Sequence, residues 1–233
     1  MFIPPTLQPP LCFYPPSTID VQNGMVAQYK FDGNFADSSI YGEDGSPVNL
    51  SVSISYDLVL SASSEQYVDC GPSPQTNFSG SDFTICVWIN PTTVGPTLGG
   101  GNAGILCHGG PFLGGGYQLE VGSEGDIKLF YGTSTQFEEY QSSIYTTFNN
   151  WNFVVCVKKS TTMSMYINNI YDGTTTDALI DISSANLIIG AQQFNLSPAY
   201  FSEYYDGLID DVRIYNRAIT PLEINILYKN GPQ

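Results

Sequence analysis

Nine short segments rich in β-branched and aromatic residues limit what this chain can become more than any other feature. They read "MVAQYKF", "EQYVDCG", "FTICVWI", "YQLEVG", "DIKLFYG", "WNFVVCV", "MSMYIN", "NLIIGA" and "LIDDVRIY". Most alternate apolar with polar residues, and Gly, Asn, Asp, Ser and Pro separate them, which is the pattern of strands and turns. In "YINNIYDG", Asn168 and Asn169 tolerate the left-handed backbone that a tight hairpin turn requires. Strands following one another with no intervening helices predict an all-β fold, a sandwich of two antiparallel sheets. One helix start is visible. Thr220, Pro221 and Glu223 place a cap, an N1 proline and an N3 glutamate in register, and Gly231 supplies a stop. Leu222, Ile226 and Leu227 would form the buried side of this short C-terminal helix.

The chain has 233 residues, enough for one large all-β domain or two small ones. Seven Lys and Arg stand against 22 Asp and Glu, a net charge of −15. Phosphate backbones and anionic membrane surfaces would be repelled, so nucleic acid is excluded as an expected partner. Cations and neutral glycans remain. No apolar run approaches the roughly 18 residues of a membrane span, so membrane insertion is not expected. The opening "MFIPPTLQPPLCFYPP" has neither a basic region nor an uninterrupted apolar stretch, and it does not read as a secretion signal.

Residues 1–20 differ from the remainder. Three Pro-Pro pairs lie there, and Asp20 is the only charge. Such a segment favours an extended, polyproline-like conformation, reaching about 50 Å over sixteen residues. Phe2, Pro4, Pro5, Leu11, Phe13 and Tyr14 make it too apolar for an idle tail. It reads either as a disordered end or as an arm that docks onto its own domain or onto other protein subunits. The domain proper is expected over residues 21–233.

Five cysteines stand at 12, 70, 86, 107 and 156, none in CxxC spacing. They read as buried free thiols, with a Cys86–Cys156 bridge between neighbouring strands as the alternative. Residues 95–116 hold ten glycines. Gly99, Gly101 and Gly104 spell G-x-G-x-x-G, but no helix follows, so a loop on the rim of the sandwich is expected rather than a nucleotide site.

In "LIDDVRI" strict alternation puts Leu208, Asp210, Val212 and Ile214 on one face. A carboxylate on a core face needs a cation, hydrogen bonds or a metal. "FDGNFADSSIYGEDG", residues 31–45, supplies more carboxylates: Asp32, Asp37, Glu43 and Asp44. Oxygens from these two segments would suit Ca²⁺; the alternative is a set of exposed turn acids.

"MVAQYKFDGNFADSS", "QYVDCG", "DFTICVWINP", "GYQLEV", "NWNFVVCV", "MYINN", "LIIGA" and "YYDGLIDDVRIYNRAITPLEI" fall in an order that resembles the laminin-G-like, concanavalin A-like jelly rolls. Gly207 to Ala218 carries the most specific motif, similar to that of a bacterial and viral subgroup. The resemblance implies a two-sheet antiparallel jelly-roll sandwich, often with one structural Ca²⁺. It implies Asp37 and Asp210 as metal ligands, with Asp32 behind them. Ile40, Tyr41 and Glu43 depart from the family's usual glycine and asparagines in that turn. Trp88 and Trp151 match core positions.

Glycan hydrolysis on this kind of fold needs two carboxyls facing one cleft, about 5 Å apart for retention. "YQLEVGSEGDI" lacks the E-x-D-x-E spacing, and the sole histidine, His108, leaves no Ser-His-Asp set. The expected function is therefore non-enzymatic. It is a module held by its arm in a virion or extracellular assembly, able to recognise glycans. Aromatic residues in 193–207 and 130–145 supply candidate sugar contacts, with Tyr140, Tyr200 and Phe201 foremost. A soluble lectin-like adhesion protein is the alternative reading.

Overall fold

A computed structural model describes residues 19–50, 56–92, 101–110, 113–176, 178–196 and 199–232. In chain order the early strands are β1 (Met25–Tyr29), β2 (Ser46–Val48), β3 (Leu58–Leu60), β4 (Tyr67–Asp69) and β5 (Phe83–Pro91). Next come β6 (Asn102–Gly110), β7 (Gly115–Gly122), β8 (Asp126–Gly132), β9 (Phe137–Tyr145) and β10 (Asn152–Lys159). The remainder are β11 (Thr162–Ile167), β12 (Ile170–Thr175), β13 (Leu187–Ile189), β14 (Gln192–Leu196), β15 (Ala199–Ser202), β16 (Gly207–Tyr215) and helix α1 (Pro221–Asn230).

The first sheet runs β1-β16-β5-β10-β11-β12, with β3 also pairing β16; the second runs β2-β4-β13-β6-β7-β8-β9. Alternation along each strand sends one side chain set between the sheets. Ile85, Val87, Val154, Cys156, Met165 and Ile214 from one sheet meet Leu119, Val121, Leu129 and Leu187 from the other, all fully or almost fully buried. This is the two-sheet sandwich expected from the sequence. Asn168 and Asn169, both with positive φ, form the two-residue turn between β11 and β12.

The outer face of the first sheet is also apolar. Trp88, Phe153, Val155 and Tyr215 lie there under Ile219, Ile224 and Leu227. Helix α1 covers them, and Tyr228 stacks on Trp88 at 5.7 Å. The capping box forms as read. Glu223 N donates to Thr220 Oγ1 at 3.3 Å, and Thr220 N donates to Glu223 Oε2 at 2.7 Å. Arg217 Nη2 adds a bond to Glu223 Oε1 at 2.6 Å, and these donors hold that carboxyl down at about 2. The buried side of the helix differs from expectation. Ile224 and Leu227 are buried, whereas Leu222 is 54% exposed. Turning Glu223 toward Arg217 rotates Leu222 outward.

The strict alternation read for "LIDDVRI" is broken by a bulge. Asp210 pairs with Trp88 and Arg213 with Cys86, so Asp211 and Val212 together face the single residue Val87. Asp211 takes a positive φ of 43° to make the extra step. Val212 and Ile214 therefore face the core between the sheets, while Asp210 shares the outer, helix-covered face with Trp88. The bulge falls where β16 changes neighbours, from β3 at Gly207–Ile209 to β1 at Val212–Tyr215.

Two further expectations change. Cys86 pairs with Val155 and Cys156 with Ile85, so the two thiols point to opposite faces and cannot bridge. Cys70, Cys86, Cys107 and Cys156 are all buried and free, as the thiol reading had it. The glycine-rich stretch is not a rim loop throughout, because β6 and β7 run through its second half. Gly104 is needed there for close approach: a Cβ would lie 2.7 Å from the Ala191 carbonyl carbon and 2.9 Å from Gln192 N.

Asp211 Oδ1 accepts from Arg213 Nε at 2.8 Å and from Gln28 Nε2 at 3.0 Å, with the ion pair almost fully buried. Arg213→Leu strands the Asp211 charge and is expected to lower the unfolding free energy by about 3–5 kcal/mol in urea titrations. The double variant Asp211→Asn, Arg213→Leu should regain part of that loss. A single-variant loss under ~1 kcal/mol would show that the pair does not hold the bulge.

Candidate functional site

The outer face of the second sheet is covered differently from that of the first. A short two-stranded ribbon, β14 with β15, lies across it. Its roots are tied down by backbone bonds: Gly190 N donates to Ile105 O at 2.9 Å, and Gly104 N donates to Glu203 O at 2.6 Å. Side chains add Gln192 Nε2 to Leu119 O at 3.2 Å. Cys107, Ile188 and Ala191 fill the space beneath, with Tyr67, Phe201 and Tyr204 partly buried against them.

The ribbon covers only part of the sheet, and a cleft of about 570 Å³ remains beside it. One wall is the ribbon, through Gln193, Leu196, Ala199 and Phe201. The other is Tyr67 and Asp69 from β4 with Ser184 and Asn186 from the segment before β13. Alternation in "YVD" sends Val68 into the core and leaves Tyr67 and Asp69 on the outer face. Phe201 stacks on Tyr67 with ring centroids 4.6 Å apart and planes 25° apart. Asn186 Nδ2 donates to both oxygens of Asp69, at 2.9 and 3.1 Å, and Gly71 N donates to Oδ1 at 2.8 Å. These three bonds fix the carboxylate and leave lone pairs on Oδ2 for another donor. Burial, then the Asp69 charge, pushes the Tyr67 phenol up, so it stays a donor. A second cleft, about 370 Å³, shares Asp69 and Asn186 and adds Glu43 and Asp44. The combined groove is acidic, with aromatic rings at one end.

Of the three aromatic residues singled out from sequence, Phe201 lines this cleft. Tyr200, 49% exposed, lies beside it in β15 and meets the Phe194 ring at 6.4 Å. Tyr140 has another task. Its hydroxyl donates to Asp172 Oδ2 at 2.8 Å, and Asp172 Oδ1 also accepts from Ser143 N and Ile144 N, tying β9 of one sheet to β12 of the other. Tyr67, Asp69 and Asn186 were missed. The outward pair in "YVD" was the available signal, but which stretch would lie over it was not legible.

The three aspartates expected at a metal are not brought together. Asp37 Oδ1 accepts from Gln28 N and Ser39 N, both at 2.8 Å; Oδ2 accepts from Ser39 Oγ at 2.6 Å and Glu43 N at 3.1 Å. Four donors thus occupy the oxygens a cation would use. Asp37 bridges Tyr29 on one edge of β1, while β16 with Asp210 pairs along the other edge. Asp32 is exposed and faces Asp57, whose carboxyl is raised by burial and then by the Asp32 charge. Among the described residues no three His, Cys, Asp or Glu side chains form a metal-binding group. The expected aspartate set does not fit a Ca²⁺ site. The arm residues Phe2, Pro4, Pro5, Leu11, Phe13 and Tyr14 lie outside the described residues.

The sequence pattern described as the Concanavalin A-like lectin/glucanases superfamily, in its laminin-G form, matches residues 62–225. The chain belongs to that superfamily. Solved structures of similar shape include domain 4 of AbnA, an extracellular GH43 arabinanase from Geobacillus stearothermophilus, in complex with arabinotriose. It is 17% identical with a TM-score of 0.62, the match covering 88% of this chain and 98% of that one. The botulinum neurotoxin serotype C1 binding domain is 15% identical with a TM-score of 0.66, over 91% of this chain. The match spans about half of that toxin domain, 53%. No curated protein matches by sequence. Within this concanavalin A-like chain the motif from Gly207 to Ala218 is structural. Gly207 has φ +140° beside the Asn90–Pro91 backbone, Asp211 and Arg213 pin the bulge, and Arg217 holds the helix cap.

The ribbon's seating depends on the bare backbone at Gly104. Gly104→Ala should lift residues 191–203 from the sheet, read as faster amide hydrogen exchange there with β10 unchanged. It should also lower stability by about 1–3 kcal/mol. Unchanged exchange over 191–203 would show that the ribbon is not packed on β6.

Proposed function

We propose that this chain is a non-catalytic carbohydrate-binding module and that the cleft between β4 and the β14–β15 ribbon is its sugar site. The observation that carries this reading is the combination inside one concave space of stacked aromatic side chains, Tyr67 and Phe201, with a fixed carboxylate and amide, Asp69 and Asn186. Ring faces and edges suit the apolar C–H face of a sugar, and the carboxylate and amide suit its hydroxyls. The similar arabinanase domain, solved with arabinotriose, supports sugar binding on this architecture. A net charge of −15 and the neighbouring Glu43 and Asp44 favour neutral over anionic glycans. Asp69 lines this cleft, and Glu43 and Asp44 the adjoining one; the non-catalytic reading rests on the missing E-x-D-x-E spacing in "YQLEVGSEGDI".

The setting belongs to the same proposal. The proline-rich, apolar residues 1–20 attach the module to other subunits of a virion or extracellular assembly, a reading that rests on their composition.

Titration of the full chain with neutral oligosaccharides, arabinotriose among them, should give saturable binding that persists at high salt. Phe201→Ala and Asp69→Ala should each weaken it about tenfold or more, while leaving the melting temperature within a few degrees. Silence across a broad neutral-glycan array would reject the sugar reading. Deleting residues 1–20 should abolish co-assembly with partner subunits and leave the sandwich folded by circular dichroism. Unchanged co-assembly would reject the arm.

A further inference from the structure

Two glutamates meet under the ribbon. Glu120 lies in β7, opposite Gly104 of β6 and Lys128 of β8. Glu203 follows β15 at the ribbon's root, with a positive φ of 51°, and its carbonyl accepts from Gly104 N. The register therefore brings Glu120 of the sheet and Glu203 of the ribbon's root to Gly104, which has no side chain to separate them, and puts the two carboxyls within reach of a carboxyl–carboxyl hydrogen bond. Glu120 is 2% exposed and Glu203 8%. Two carboxylates can only accept, so this bond exists only while one of them carries a proton.

Lys128 is the cation beside the pair; its charge favours the ionised form of both glutamates, but burial outweighs it, and it is shared with Asp126. From β6, Asn102 Nδ2 donates to Glu120 Oε2 at 2.9 Å, and the Cys107 thiol is kept neutral by burial. From β8, Lys128 Nζ donates to Asn102 Oδ1 at 3.1 Å and lies 3.9 Å from Asp126 Oδ2. Asp126 also accepts from Gln141 of β9. From β4, Asp69 adds negative potential near Cys107. The ribbon itself contributes neutral Gln192 and Gln193. Its side-chain ties are Gln192 Nε2 to Leu119 O at 3.2 Å, and two longer ones, Gln118 Nε2 to Gln193 O at 3.5 Å and Cys107 Sγ to Ala191 O at 3.6 Å.

We infer that the Glu120–Glu203 pair is a proton-operated latch that seats the β14–β15 ribbon on the second sheet. The functional consequence rests on the cleft reading above, because the ribbon is one wall of the cleft. Burial, then the neighbouring Glu203 carboxyl, raises Glu120 to about 9, and burial also raises Glu203. Both groups are raised above their unfolded values. The stabilisation is therefore complete below about pH 4.5 and is lost as pH rises through about 9, when two like charges share a dry contact.

Cys107, lying beneath the ribbon, reports the latch directly. The full chain is alkylated at pH 6 to 10, and labelling of each cysteine is mapped by peptide mass spectrometry. Cys156, in the core between the sheets, reports any global opening. In the wild type, Cys107 labelling relative to Cys156 should rise at least tenfold more than in Glu120→Gln across that range. The glutamine amide can donate to Glu203 and accept from Asn102 without a titrating proton. Removing the Glu120 charge eases Cys107 ionisation in the variant, so that effect opposes the expected difference and cannot produce it. Glu203→Gln should behave alike and serves if the first variant does not fold. Superimposable Cys107 profiles in wild type and variant would overturn the latch. No sugar is present in this measurement, so a failed latch and a failed sugar site give different results.

Discussion

The bulge at Asp210–Asp211 is the constraint on which the rest of this sandwich depends. β16 is a central strand of the first sheet, and one of its edges serves two partners, β3 and then β1. A regular strand would carry Asp210 and Val212 on the same face. The extra residue shifts the pattern, so Val212 and Ile214 meet the core while Asp210, Asp211 and Arg213 turn to the helix side. Asp211 must hold a left-handed backbone there, and its bonds to Arg213 and Gln28 compensate both the strain and the buried charge. Gln28 belongs to β1, so the same contact fixes how the chain's opening strand docks onto its last.

The two outer faces of the sandwich are closed unequally, and that asymmetry places the candidate site. Helix α1 seals the first sheet with Ile224, Leu227 and Tyr228 over Trp88 and Phe153. Among the described residues, the second sheet receives only a narrow ribbon, which cannot span seven strands. Where it stops, aromatic and polar side chains that would otherwise be covered line a cleft. The ribbon is also the element whose seating involves two buried acids. In the proposed reading, the wall of the sugar site is thus also the element that loss of a proton loosens.

Much of the fold was legible because it rests on local chemistry. Alternation marked nine of the sixteen strands among the described residues, Asn168–Asn169 gave a hairpin, and Thr220-Pro221-Leu222-Glu223 gave a capped helix. The errors share a cause. Strict alternation misplaced Asp210 because a bulge is invisible in one strand and becomes evident only in register with its partner. The proposed Cys86–Cys156 bridge failed for the same reason, since facing depends on pairing rather than on neighbouring strands. The glycine-rich stretch looked like a loop because the need for a bare backbone at Gly104 comes from residues 191 and 192, far along the chain.

The sequence by itself determined the strand periodicity, the helix cap, the acidity and the class of fold, since each follows from residues within a few positions of one another. Only the tertiary structure decided which acids would be buried, which aromatic rings would share a cleft, and which carboxyls would meet under the ribbon. Those outcomes depend on which strand lies against which, and on how far a two-stranded cover can reach across a seven-stranded sheet. Tyr67 and Phe201 are 134 positions apart in the chain and 4.6 Å apart between ring centroids, a proximity that no local pattern encodes.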